Sequence, residues 1–73
     1  MAGSREIALE QALVAVIAAA ETSDVDVHAL LGKASAFILD SGSRFQIAGH
    51  PYGTKACQEI SDAHATVLAN KDD

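Results

Sequence analysis

The sequence predicts an all-α fold, a small three-helix bundle, and three observations support this prediction. The chain of 73 residues contains 15 alanines, and alanine is the residue that most favours a helix. Apolar residues recur at helical spacing in three segments, which are separated by clusters of serine, threonine, aspartate and glycine. The length suffices for one domain only, so we expect a single helical domain over residues 1–73.

The first helix is predicted over about residues 4–21, with Ser4 as its N-cap. Its main apolar stripe comprises Leu9, Leu13, Val16 and Ala20. A second stripe, on another side of the helix, comprises Ile7, Val14 and Ala18. No polar side chain appears between Gln11 and Glu21, and a helix that is apolar nearly all round is buried nearly all round. We therefore expect this helix to be either the central helix or part of a subunit interface.

The second helix is predicted over about residues 25–41, capped by Asp24 or Asp26. Its core stripe comprises Val27, Leu30, Leu31, Ala34, Phe37 and Ile38. Leu39 falls outside that stripe and is a candidate exposed contact. Gly42 favours a helix stop, followed by a short helical turn over about residues 44–48. The alternative is a longer second helix that continues to Ala48.

The third helix is predicted over about residues 54–70, after a loop at residues 49–53 that contains two glycines and the proline. Thr54 is its expected N-cap. One face of this helix is apolar and comprises Ala56, Cys57, Ile60, Ala63, His64, Val67 and Leu68. The opposite face is mostly polar, so the third helix has the clearest amphipathic pattern of the three.

Charge and hydropathy argue against several classes of partner. The net charge is −5, and the five basic residues are scattered, whereas nucleic-acid binding needs a clustered basic face. The same acidity disfavours an anionic membrane surface. The longest apolar run, residues 12–20, is well short of the ~20 residues of a membrane span, and no signal peptide is evident. We expect a cytoplasmic protein that binds neither nucleic acid nor membrane.

The candidate catalytic and metal-binding residues do not form a recognisable site. Cys57 and His64 lie two helical turns apart, about 10.5 Å along the axis, which is too far for a chelating pair. Cys57 is expected to pack as a small apolar residue, and its pairing with His50 as nucleophile and base lacks an orienting motif. We therefore expect no metal, no cofactor and no enzymatic activity.

Two residues are candidate contacts with a partner. His64 lies on the apolar face of the third helix, where it either hydrogen-bonds a backbone carbonyl or lies at an interface. Tyr52 lies in the predicted loop, where it either contacts a partner or packs over the helix ends.

The segment Asp40-Ser41-Gly42 is superficially similar to the Asp-Ser-Leu motif of acyl carrier proteins, which are acidic, helical and of this length. In that family the serine carries phosphopantetheine. Here Gly42 replaces the leucine, and the segment ends a predicted helix instead of starting one. The similarity covers two residues only. The function that it implies, a carrier-type or enzyme accessory domain modified at Ser41, is the alternative to the main prediction below.

The main functional prediction is a small acidic protein–protein interaction module that self-associates as a homodimer and acts as an adaptor or inhibitor of a larger protein. The first helix has more apolar sides than one core can use, and the alanine-rich core is thin. The net acidity suits a basic protein surface. The predicted interface residues are Ile7, Val14, Ala18, Leu39, Tyr52 and His64.

Overall fold

The computed structural model describes residues 3–40, 42–46 and 52–70. These residues form three α-helices, which are α1 (Ser4–Glu21), α2 (Val27–Leu39) and α3 (Tyr52–Ala69). No strand occurs in these three segments, and the helices pack against one another. The predicted small all-α three-helix bundle is therefore confirmed.

The start of α1 differs from the prediction. Gly3, with φ −77° and ψ 166°, is the N-cap, and Ser4 is already helical, so the prediction that Ser4 caps the helix is wrong. Glycine has no side chain to accept a hydrogen bond, and the Glu6 carboxylate instead accepts one from the Gly3 N–H at 3.0 Å. At the other end, the Thr22 hydroxyl donates to the carbonyl of Ala19 at 3.0 Å.

The two aspartates predicted as alternative N-caps of α2 have different roles in the connection between α1 and α2. Asp24 adopts φ 59°, in the left-handed region that aspartate tolerates better than most residues, and so forms the turn. Asp26 is the N-cap of α2, and its carboxylate accepts from the Ala29 N–H at 3.1 Å. Because Asp26 must be non-helical to cap, α2 begins at Val27, two residues later than predicted.

Helix α2 ends at Leu39, because Asp40 is extended, with φ −79° and ψ 115°. The predicted stop therefore occurs, slightly before Gly42, and the alternative of a helix that continues to Ala48 is wrong. The Ser43 N–H donates to the Asp40 carbonyl at 2.9 Å, and the Gln46 side chain donates to the Ile38 carbonyl at 2.9 Å, which folds this segment back onto α2. Turns occur at residues 44 and 45, while Ser41 and residues 47–51 lie outside the described part.

Helix α3 begins at Tyr52, two residues earlier than predicted, so Thr54 lies inside its first turn and is not its cap. The reason is packing against the end of α2. Gly53 is buried there, and a Cβ atom on it would lie 3.4 Å from the Leu39 side chain and 3.5 Å from the Ile38 side chain. Tyr52 and Gly53 therefore belong to the helix and not to the predicted loop.

Helix α3 is the central helix, since it packs on both α1 and α2, which contact each other little. Of the two roles expected for the first helix, that of the central helix is wrong, and a place at a subunit interface stays a prediction for α1. Ile17 is its one buried residue among those described, whereas Leu9 and Val16 of the predicted main stripe are 57% and 64% exposed. The buried core comprises Ile17, Val27, Ala63 and Val67.

The bundle is flat, with principal extents of 39 × 32 × 15 Å. The shortest extent is less than half of either of the other two.

Candidate functional site

The exposed side of α1 is apolar. Ile7, Leu9 and Val16 are 58%, 57% and 64% exposed. Exposed alanines lie between them and beside them, at positions 8, 12, 15 and 19. We call the exposed apolar residues of α1, from Ile7 to Ala19, the α1 apolar surface. Since no charged side chain interrupts α1 between Glu10 and Glu21, this surface is continuous along most of the helix.

One flank of the α1 apolar surface borders a groove between α1 and α3. Ile7, Val14 and Ala18 share this flank because of the helical spacing. Val14 and Ala18 are half-buried and, with Val67 of α3, form the apolar lining of a groove of about 280 Å³. The polar lining residues are Glu21, Thr22, Thr66 and Asn70. We call this the α1–α3 groove. Three predicted interface residues thus lie together, one of them exposed and two as a groove wall.

The opposite flank of α1 borders a different groove, of about 340 Å³. Its apolar lining residues are Leu9 and Leu13, and three glutamates complete it: Glu6, Glu10 and Glu59. We call this the acidic groove. Glu6 and Glu10 lie one turn apart on α1, as their spacing predicts. Glu59 belongs to α3 and lies in the groove because the two helices pack together.

His64 lies at the junction of the three helices. Its Nε2 is 3.2 Å from Oε2 of Glu21 at the end of α1, and the two side chains are 16% and 18% exposed. The His28 ring of α2 lies edge-on to the His64 ring, with 6.0 Å between centroids. The partner of His64 is thus a carboxylate, and not the backbone carbonyl considered from the sequence. The two residues are 43 positions apart, so no local pattern could have identified the pair.

Leu39 and Tyr52 are 46% and 64% exposed and lie where the end of α2 meets the start of α3. Val67, which lines the α1–α3 groove, is 14 residues from Gly53, or about 21 Å along α3. Leu39 and Tyr52 therefore lie at the opposite end of α3 from that groove. The six predicted interface residues do not form one continuous surface.

An exposed aromatic pair also lies at the C-terminal end of α2, and the sequence pattern does not indicate it. Phe37 and Phe45 are 42% and 55% exposed, with ring centroids 4.9 Å apart. The Arg44 guanidinium lies 5.5 Å from the Phe45 centroid, within the range of a cation–π contact. Phe37 has the spacing of the predicted core stripe of α2, but it is exposed, because α3 covers a different side of that helix.

The remaining candidate residues form no reactive arrangement in the part of the chain that the structure describes. Cys57 is a half-buried free thiol. Within residues 3–40, 42–46 and 52–70, no three His, Cys, Asp or Glu side chains are grouped to hold a metal ion. His50 and Ser41 lie outside those ranges. Among the described helices, none combines the length and the apolar character needed to cross a membrane.

Comparison of the chain with protein-family models, with curated proteins and with solved structures gives no match. Its function is therefore inferred from the surfaces of the chain itself.

Proposed function

We propose that this protein is a helical protein–protein interaction module that self-associates through α1. The observation that carries the proposal is the exposed apolar side of α1. Among the described residues, five large apolar side chains are more than half exposed, and three of them lie on this helix: Ile7, Leu9 and Val16. A stable protein–protein interface buries about 800 Å² on each partner around an apolar centre, which this side of α1 can supply.

The thin core gives a second reason for association. The described residues bury only four apolar side chains, and two of the three helices contact each other little. Domains of this size commonly need a disulfide, a metal or a partner subunit to be stable. A single free cysteine cannot form a disulfide within the chain. A second copy is the simplest supplement, since most soluble oligomers are symmetric homodimers.

Sedimentation equilibrium over a concentration series from micromolar to millimolar tests self-association directly. We expect the mass to rise from that of the 7.5 kDa chain towards twice that value. Ile7→Glu should raise the dissociation constant at least about a hundredfold, because a buried unpaired carboxylate costs several kcal/mol. Ala65→Glu, at an exposed position of α3, adds the same charge and should leave association unchanged. A wild-type chain that stays monomeric throughout overturns the proposal.

The acidic groove supports a second function, binding to a basic segment of a larger protein as an adaptor or inhibitor. Three glutamates beside Leu9 and Leu13 suit a partner helix that presents basic and apolar residues on one face. The test is capture of partners on immobilised wild-type protein and on a Glu10→Lys, Glu59→Lys variant. A partner that binds through this groove is retained by the wild type and lost from the variant. Equal retention by both proteins excludes the groove as its site.

A further inference from the structure

We infer that two copies pair through α1 in an antiparallel arrangement about a two-fold axis, with Ile7 of each copy in the α1–α3 groove of the other. This inference rests on the proposed self-association and specifies its geometry. The occupant of the groove is therefore a second copy of this chain. Three features of α1 carry it: the charges beside each flank, the positions of its large and small side chains, and the location of Glu21.

The charges favour the α1–α3 groove over the acidic groove as the surface between copies. A two-fold axis brings each surface against itself. At the acidic groove it would oppose Glu6, Glu10 and Glu59 with their own copies, and like charges brought together at an interface cost several kcal/mol. The α1–α3 groove has a single carboxylate, that of Glu21, which is held by His64. Only this flank can meet itself without opposing three carboxylates.

The side-chain sizes select the direction and the register of the two helices. In an antiparallel pair centred between Ala12 and Leu13, Ile7 lies opposite Ala18 of the partner. The same centre places Gln11 opposite Val14 of the partner. Each long side chain then meets a shorter one, and the exposed Ile7 reaches the groove whose wall Val14 and Ala18 form. A parallel pair would instead place Ile7 against its own copy and leave the wall at Ala18 without a large side chain.

The electrostatics of the helix ends favour the same arrangement. In this register Ser4, the first residue of α1, lies opposite Glu21 of the partner, the last residue of α1. The N-terminus of a helix carries partial positive charge and is stabilised by a nearby carboxylate. A parallel pair would instead place Glu21 of one copy beside Glu21 of the other. Shape and charge therefore select the same direction.

The area of this contact indicates a reversible dimer. Helix α1 has 18 residues and is about 27 Å long, so a strip about 20 Å wide that includes the groove covers about 500 Å² on each copy. The total of about 1,000 Å² lies at the lower limit for specific interfaces, where transient complexes are common. We therefore expect monomer and dimer to exchange reversibly. The acidic groove stays available in the dimer.

Disulfide trapping tests the direction of the helices separately from association itself. In a Cys57→Ser background, chains with Ile7→Cys are mixed with chains with Ala18→Cys and oxidised. We expect the mixed Cys–Cys dimer to form much faster than either dimer of identical chains. If the wild type sediments as a dimer but the Ile7→Cys chains couple fastest to each other, the antiparallel pairing is overturned and self-association stands. If the wild type is monomeric, both are overturned.

Exchange of the two side chains provides an independent measurement. Ile7→Ala alone should raise the dissociation constant at least about tenfold, because it empties the groove twice in each dimer. Adding Ala18→Ile to Ile7→Ala restores a large side chain to the same contact from the other copy, and should recover most of that loss. Circular dichroism verifies that both variants keep the helical content of the wild type. A folded double variant that associates no better than Ile7→Ala overturns the register.

Discussion

Replacing Ile17 with alanine removes the largest side chain that the described residues bury completely. Ile17 is 2% exposed and lies in the core with Val27, Ala63 and Val67. Its neighbour Val16, by contrast, is 64% exposed. Both residues are apolar, and they differ only in which of them lies on the side of α1 that packs against α3. The comparison of Ile17→Ala with Val16→Ala therefore tests which side of α1 is buried.

The size of the effect follows from burial and chain length. Isoleucine to alanine in a core costs about 2–5 kcal/mol, and half-buried neighbours such as Leu13 and Val14 can fill part of the cavity. We expect a loss of about 2–3 kcal/mol. A chain of 73 residues has a total stability of only about 4–11 kcal/mol. Ile17→Ala should thus remove a large share of the free energy of unfolding.

Urea unfolding followed by circular dichroism, at a protein concentration where the chain is monomeric, measures both variants. Val16→Ala should change the free energy of unfolding by less than about 0.5 kcal/mol, since it removes little buried area and alanine favours the helix. An unchanged dependence on urea would show that both variants expose the same surface on unfolding. If Val16→Ala destabilises the monomer as much as Ile17→Ala does, α1 faces α3 through the Leu9 and Val16 stripe, and the structural assignment is refuted.

Substitutions at three further positions test other parts of the bundle, each by the same unfolding measurement. Gly32→Ala should stabilise the chain by about 0.5–1 kcal/mol, because alanine favours the interior of α2 and a Cβ atom there meets nothing within 4 Å; a loss would reveal an unseen contact. Asp26→Ala removes the carboxylate that caps α2 and should cost about 1 kcal/mol, whereas Asp26→Asn, which keeps an acceptor, should cost less. His64→Ala removes the hydrogen bond to Glu21 and the edge contact with His28, and should cost about 1–2 kcal/mol; no change would mean that the junction contributes nothing to stability.

The positions of the helices could be predicted because they depend on local signals. The apolar spacing predicts all three helices. The sequence also limits the N-cap of α2 to Asp24 or Asp26, and the structure identifies Asp26 as the cap and Asp24 as a turn residue. The start of α3 could not be predicted in the same way. Tyr52 and Gly53 have the composition of a turn, and they are helical because Gly53 packs closely against Ile38 and Leu39 of another helix. Tertiary packing outweighs local propensity at this position.

The orientation of α1 could not be predicted at all. When a helix is apolar on nearly every side, its sequence does not indicate which side is buried. Ile17, the buried residue of α1, belongs to neither of the two apolar stripes predicted for this helix. Helix α3, by contrast, has one apolar and one polar side, so its buried side, with Ala63 and Val67, could be predicted. Contacts between residues of two different helices could not be predicted from the sequence for the same reason. Glu59 in the acidic groove and the pairing of Glu21 with His64 both depend on how α3 lies against α1.

The small core links the stability of this chain to its association. The described residues bury only four apolar side chains, so the free energy of folding comes from a small core, while the α1 apolar surface stays in water. In the proposed dimer, burial of that surface would stabilise the folded state by mass action, since the unfolded chain does not form the pair. A more polar α1 would leave less apolar surface in water in the monomer, but it would lose this stabilisation. The core uses only one side of α1, so the proposed partner surface accounts for the apolar residues on its other sides.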